Sequence, residues 1–197
     1  RVSFEASNRG ELLFLTDRQQ IYKARVSDFE DCKASVLGVY LPTRLQLDEG
    51  ENIISMIDPG DYSRNLLLIF ENGKAARIDM AAYETKTNRR KLVNAYSDKS
   101  PVVAVMVIGE EMDVACYASD DRVLVFNTAQ LQVKTSRSTQ GVAVMTLKAK
   151  RTLVKALPVK DSAITNLARY RVKNLPGAGA LLKSEDRVEQ QLSLMDD

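Results

Sequence analysis

Four cations fall within six residues at Lys86, Arg89, Arg90 and Lys91, in a stretch that reads as a loop between strands. Cations so spaced make and break no bonds. They neutralise phosphates, and each neutralised phosphate releases condensed counterions. Arginine grips phosphate oxygens with a planar fork, whereas lysine acts as a point charge. The order Lys86-Thr87-Asn88-Arg89 returns as Lys134-Thr135-Ser136-Arg137, 48 residues later. Lys23 and Arg25, Lys74 and Arg77, and Arg122 lie on strand-like runs, and Lys148, Lys150 and Arg151 form a further group. A solvated surface accounts for charges on loops and strand faces as well as phosphate binding does. These positions are therefore candidates for nucleic-acid contact.

Other chemistry is largely excluded by what is missing. The chain has no His, which removes Ser-His-Asp and Cys-His nucleophile pairs, H-E-x-x-H zinc sites and histidine proton shuttles. Two cysteines, Cys32 and Cys116, are too few for a structural zinc site or a disulfide framework, and fit a reduced cytosolic setting. Asp120-Asp121 could pose as a carboxylate pair, but its place between two apolar runs reads as a hairpin turn. Gly177-Ala178-Gly179 lacks the third glycine and the Gly-Lys-Ser/Thr of a phosphate loop. Phe14, Phe70, Tyr117 and Phe126 sit inside apolar runs and read as core, which disfavours a base-stacking platform.

The 197 residues suit one domain, or one domain with a tail, at ordinary globular values of 45% hydrophobic and 27% charged residues. There is neither a signal peptide nor a long apolar stretch, so a soluble chain with no membrane partner is expected. Beginning at Arg1 rather than Met, it reads as part of something longer. A formal net charge of +2 hides a gradient: residues 1–60 hold 7 basic and 10 acidic side chains, and residues 113–160 hold 8 and 3. That pattern predicts a positive face on a near-neutral body.

The elements that must carry those cations recur. Leu12–Lys23, Leu66–Arg77 and Val114–Val125 each give an apolar run, a polar turn and a second strand, at offsets of 54 and 48 residues. Asn72-Gly73 has the positive-φ chemistry of a hairpin. Each unit closes on another apolar run, at Ile53–Ile57, Val102–Val107 and Leu153–Leu157, and Val2–Ala6 resembles the closing strand of a preceding unit. A period near 50 with about four strands per copy is blade arithmetic. The expected fold is all-β and propeller-like, with about three four-stranded blades over repeats of about 11–58, 65–110 and 113–158.

The repeats resemble the C-terminal β-pinwheel domain of the A subunit of bacterial type IIA topoisomerases, DNA gyrase and topoisomerase IV. The resemblance rests on Phe14–Asp17 with Ile21–Lys23, Leu47–Ile54, Phe70–Lys74, Lys86–Leu92 and Ser136–Val142, and spans roughly residues 1–160. It implies a module that binds and bends or wraps duplex DNA on an outer rim of Lys and Arg. It also implies partners: a cleavage core upstream in the same chain and an ATPase B subunit in a bacterial, cytoplasmic, nucleoid-associated assembly. The family's nucleophilic tyrosine, and its use of ATP and Mg, belong to other parts of the enzyme, so no catalytic residue and no cofactor is expected in this stretch. The gyrase-defining box Gln-Arg-Arg-Gly-Gly-Lys-Gly does not occur, and Lys86–Leu92 and Ser136–Val142 resemble degenerate versions of it. Supercoiling and decatenation both stay open, and three blades imply an open arc. The competing expectation is a protein-binding propeller-like scaffold.

Residues 161–197 read as a C-terminal tail. Ser184 could cap a short helix with Val188, Leu192 and Met195 on one apolar stripe, and the acidic end (Glu185, Asp186, Glu189, Asp196, Asp197) could compete with DNA for the cations.

Overall fold

A computed structural model describes residues 4–7, 9–33, 35–85 and 89–187. Among the described residues twelve strands and two short helices follow one another: β1 (Glu11–Thr16), β2 (Ile21–Arg25), α1 (Leu41–Leu45), β3 (Ile53–Ile57), β4 (Asn65–Phe70), β5 (Lys74–Asp79) and β6 (Lys91–Leu92). Then come β7 (Val102–Ile108), β8 (Asp113–Ala118), β9 (Arg122–Asn127), β10 (Val142–Ala143), β11 (Leu153–Pro158), α2 (Leu167–Tyr170) and β12 (Ala180–Leu181). They form three four-stranded antiparallel sheets, in the orders β3-β1-β2-β6, β7-β4-β5-β10 and β11-β8-β9-β12.

The three sheets are copies down to their irregularities. In each, the pairing of first and third strand slips at one place: Leu15/Thr16, Ile69/Phe70 and Leu153/Lys155. One backbone bond then joins the hairpin to the loop before the third strand, from Asp17 to Asn52, Glu71 to Pro101 and Ser119 to Thr152. Each second strand runs into a 3-10 turn, at Val26–Asp28, Met80–Tyr83 and Thr128–Gln130.

Continuous apolar runs arise because the sheets stack and bury both faces. Alternate residues point opposite ways along a strand. Leu66, Leu68 and Phe70 therefore pack with Leu13, Leu15 and Ile21 of the first sheet, while Leu67 and Ile69 meet Cys116, Leu124 and Phe126 of the third. With both faces apolar, alternation alone cannot fix the register of β4. The Asn72-Gly73 hairpin fixes it instead: Gly73 stands at φ +80°, and a Cβ there would lie 2.4 Å from the Met145 carbonyl oxygen.

The outermost faces are covered locally. Leu12, Phe14 and Tyr22 pack under Phe29, Leu41, Leu45 and Leu47, and Ala115, Val123 and Val125 pack under Ile164, Leu167, Tyr170 and Leu182. Among the described residues no core cluster joins the first sheet to the third. Repeat architectures need such covers over their end units.

The structure corrects the repeat boundaries. Each repeat was expected to own its four strands, but the fourth strand of every sheet comes from farther along the chain. β6 lies between β5 and β7 in sequence yet pairs with β2, and β10 lies between β9 and β11 yet pairs with β5. Each later repeat thus lends a strand to the sheet before it.

Residues 161–187 are likewise more than an appendage. They supply β12 to the third sheet and seat Tyr170 against it. Ser184–Asp186 is a single 3-10 turn whose N-cap is Lys183, without a side-chain cap bond. Asp186 faces inward, accepting hydrogen bonds from the Tyr170 hydroxyl at 2.6 Å and from the Thr165 backbone N–H at 2.7 Å and hydroxyl at 2.8 Å. These donors hold its carboxyl down at about 2, and its burial keeps it from competing for exposed cations. Val2, Ser3, Val188, Glu189, Leu192, Met195, Asp196 and Asp197 lie outside the described residues.

Candidate nucleic-acid interface

The exchanged strand β6 positions the densest cations. It runs antiparallel to β2, with Leu92 opposite Ile21 and Lys91 opposite Tyr22. The chain entering it is tied down by the Lys23 N–H, which donates to the Arg90 carbonyl at 2.7 Å. Arg89 and Arg90 consequently project from a fixed backbone at an exposed edge.

Three adjoining depressions share these side chains. Arg25, Arg89 and Arg90 line the first with Glu11 and Asp28. Arg90 and Lys91 line the second with Arg44. Arg89 lines the third with Arg137 and Glu84, between the loops of the first and second sheets. Arg25, Arg89, Arg90 and Arg137 have no side-chain hydrogen bond or ion pair among the described residues. Lys91 is paired with Asp48 at 2.7 Å and lies 5.3 Å from the centre of the Tyr22 ring. That carboxylate and that hydroxyl raise the lysine further above its ordinary range.

Two candidate cations are enclosed instead. Lys23 is only 6% exposed. Its ammonium meets the Tyr62 hydroxyl at 3.2 Å, the Thr85 hydroxyl at 3.3 Å and the Glu11 carboxylate at 3.9 Å. Burial pushes its pKa down, with Glu11 and Glu84 opposing. Arg77, at the equivalent place in β5, forks onto Glu111 at 2.8 and 3.1 Å and bonds the Thr128 carbonyl at 3.0 Å. These partners hold both side chains at the polar ends of the seams between sheets, although Lys23 also lines the floor of the first two depressions.

The remaining candidates divide further. Lys74 reaches the Gln140 side chain at 3.4 Å, and Arg122 bonds the Gly179 carbonyl at 3.0 Å beside Asp120. Lys134 is half-buried, bonded to Gln132, with backbone bonds to Arg77 and Asp79. Lys148, Lys150 and Arg151 are exposed in the turn before β11, without an ion-pair partner among the described residues. Lys86 lies outside the described residues.

The expected 48-residue recurrence of the cation loop is also corrected. Val142 pairs with Ala75 as Leu92 pairs with Ile21, and Ala95 and Met145 donate to the equivalent carbonyls of Gln19 and Gly73. The loops therefore match at an offset of 50, which sets Arg89, Arg90 and Lys91 against Thr139, Gln140 and Gly141. The same place in the third sheet holds Gly177, Ala178 and Gly179. Gly141 and Gly179 have φ +71° and +69°, and a Cβ at either would strike a carbonyl of the second strand. The Gly177 segment is thus a close-packed strand entry. Asp120-Asp121 is the β8–β9 hairpin turn, as its position between apolar runs predicts, with Asp121 at φ +60°.

Sequence reasoning missed Arg44. It stands on α1, donates to the Asp28 carbonyl and lines the same depression as Arg90. A lone cation in a segment with no counterpart in the other repeats gives no periodic signal; only Leu41-Pro42, a proline at a helix start, marks the element.

Similarity to known proteins matches this architecture. No family model matches the chain. It is 25% identical to the DNA gyrase A subunit of Borreliella burgdorferi over 153 residues, 77% of this chain and 19% of that protein. It is 26% identical to the chloroplastic/mitochondrial DNA gyrase A subunit of Arabidopsis thaliana over 148 residues, 70% of this chain and 14% of that one. The chain thus spans less than a fifth of the length of these curated relatives. Among solved structures, a DNA topoisomerase IV C-terminal domain aligns at TM-score 0.74 and 19% identity, covering 90% of this chain and 61% of that one. The E. coli ParC C-terminal domain aligns at 0.70 and 14% identity, covering 93% and 81%. The chain is homologous to the C-terminal region of gyrase A and has the β-pinwheel fold of the C-terminal domains of gyrase A and topoisomerase IV.

Proposed function

We propose that this domain binds duplex DNA through the phosphate backbone and bends it, presenting segments to the cleavage core of a type IIA topoisomerase. The observation that carries the reading is the run of Arg25, Arg89, Arg90 and Arg137 across adjoining depressions, without intramolecular side-chain partners among the described residues. Guanidinium groups on a fixed backbone edge suit phosphates, which position a protein without reading sequence. Bending a site of 20–30 bp by 40–90° costs about 1–6 kcal/mol, so several such contacts are needed to offset it. In this reading the ATPase B subunit is a partner of the whole enzyme, and ATP and Mg serve chemistry elsewhere in it.

Random-sequence duplex affinity measured against salt tests the proposal. About four phosphate contacts would give a log–log slope near −3.6, at about −0.9 per contact. Replacing Arg89, Arg90 and Lys91 together by Ala should flatten the slope by about 2–3 and weaken all sequences alike. Salt-insensitive or absent binding would assign the domain to protein contacts instead.

A further inference from the structure

Resting on that reading, we propose that the loop Val36–Tyr40 is an apolar wedge that inserts into the stack of a duplex held on the adjoining cations. Val36, Leu37, Val39 and Tyr40 are 56%, 97%, 42% and 72% exposed. The other large exposed apolar side chains among the described residues, such as Ile54, Val133 and Val154, stand apart from one another in sequence. Leu37 at 97% touches almost nothing of its own chain. A Cβ at Gly38 would meet nothing within 4 Å, so the tip stands in open space.

Position makes DNA the occupant. The loop runs directly into α1, where the Tyr40 carbonyl accepts the Arg44 N–H at 3.1 Å. Arg44 then lines one depression with Arg90 and Lys91. Tyr40, where the apolar loop meets the helix, is therefore about one helical turn, roughly 5 Å, from Arg44 at the cationic edge. The core of a protein-binding patch is poor in charge, whereas this one borders a row of guanidinium groups. A duplex offers the complementary pair of surfaces, phosphates outside and apolar base faces within. Apolar side chains such as leucine enter base steps and kink the helix, most readily at pyrimidine–purine steps.

The test uses the full chain with a duplex carrying 2-aminopurine at a central TA step and a donor–acceptor pair at its ends. On binding, the wild type should raise the 2-aminopurine fluorescence and shorten the end-to-end distance. Leu37→Ser should lose the fluorescence rise and most of the shortening, while its salt slope stays that of the wild type. Val36→Ser with Tyr40→Ser should do the same, which separates a wedge from a single contact. An unchanged fluorescence rise in both variants overturns the wedge. So does a wild-type dimer that Leu37→Ser dissociates while the DNA signals persist, since the loop would then join two copies. Failure of the wild type to bind any duplex defeats the phosphate-binding reading itself.

Discussion

Arg77→Ala separates structural cations from ligand-binding ones. Arg77 ties the second sheet to the third: two guanidinium nitrogens bond Glu111 at 2.8 and 3.1 Å, and one also bonds the Thr128 carbonyl at 3.0 Å. The Glu111 side chain is 45% exposed, so water screens the ion pair and it contributes only about 0.5–1 kcal/mol. The carbonyl bond lies deeper and adds about 1–1.5 kcal/mol. The lost aliphatic stem, which packs against the seam, adds about 0.5–1 kcal/mol. The sum is about 2–3.5 kcal/mol, or roughly 4–14 °C in Tm for a chain of this size. Thermal unfolding followed by circular dichroism measures it. In the same preparation the salt slope of duplex binding should not move, because the enclosed guanidinium meets no phosphate. Arg90→Ala should do the reverse, leaving Tm within about 1–2 °C and flattening the slope by about 0.9. An Arg77→Ala variant that kept its Tm and lost one unit of slope would refute the division into enclosed and presented cations.

Two further outcomes rest on single residues. The Asp186 carboxyl is held at about 2 by the Tyr170 hydroxyl and the Thr165 donors, below the usual aspartate value near 3.9, so the unfolded chain binds its proton first as the pH falls. The stabilisation it gives is complete above about pH 4 and is lost as the pH drops through about 2; acid titration of Asp186→Asn should lack that limb, and an identical acid profile would contradict the pairing. Burial pushes the Cys116 thiol up to about 12, whereas Cys32 is exposed. A thiol reagent at neutral pH should label one cysteine promptly and the other only on unfolding, and two fast thiols would contradict the packing of β8.

The fold was legible because its repeat is written in what blades must share. Paired apolar runs, a hairpin such as Asn72-Gly73 and a closing strand recur at a nearly constant spacing, and the three sheets bear them out. The interface was legible only as a composition. Lys23 and Arg25, two apart on one strand, share a face, so periodicity cannot say that one is enclosed and the other presented; the tyrosine and glutamate that enclose Lys23 come from 39 residues later and 12 residues earlier. The cation loop was misaligned by two residues for a related reason. Lys134 and Arg137 imitate Lys86 and Arg89 by type, while the true match is set by backbone pairing and by Gly141, whose role is visible only as a Cβ clash 2.1 Å from the Ala75 oxygen.

Strand exchange also explains why cations gather where they do. A fourth strand delivered from the next repeat must cross the boundary between sheets, so the loop that carries it lies over the seam and cannot be buried in either core. β6 and β10 are each only two residues long. Their loops are held by a few backbone bonds and leave their other side chains outside. Side chains there are free to carry charge where they project outward, as at Arg89 and Arg90, and are reduced to glycine where the entry packs closely, as at Gly177 and Gly179. A phosphate path on these loops would therefore be tuned sheet by sheet without disturbing the apolar stack beneath. Moving cations into Thr139 and Gln140 of the second loop should extend that path at little cost in stability, whereas a side chain at Gly141 should unseat β10.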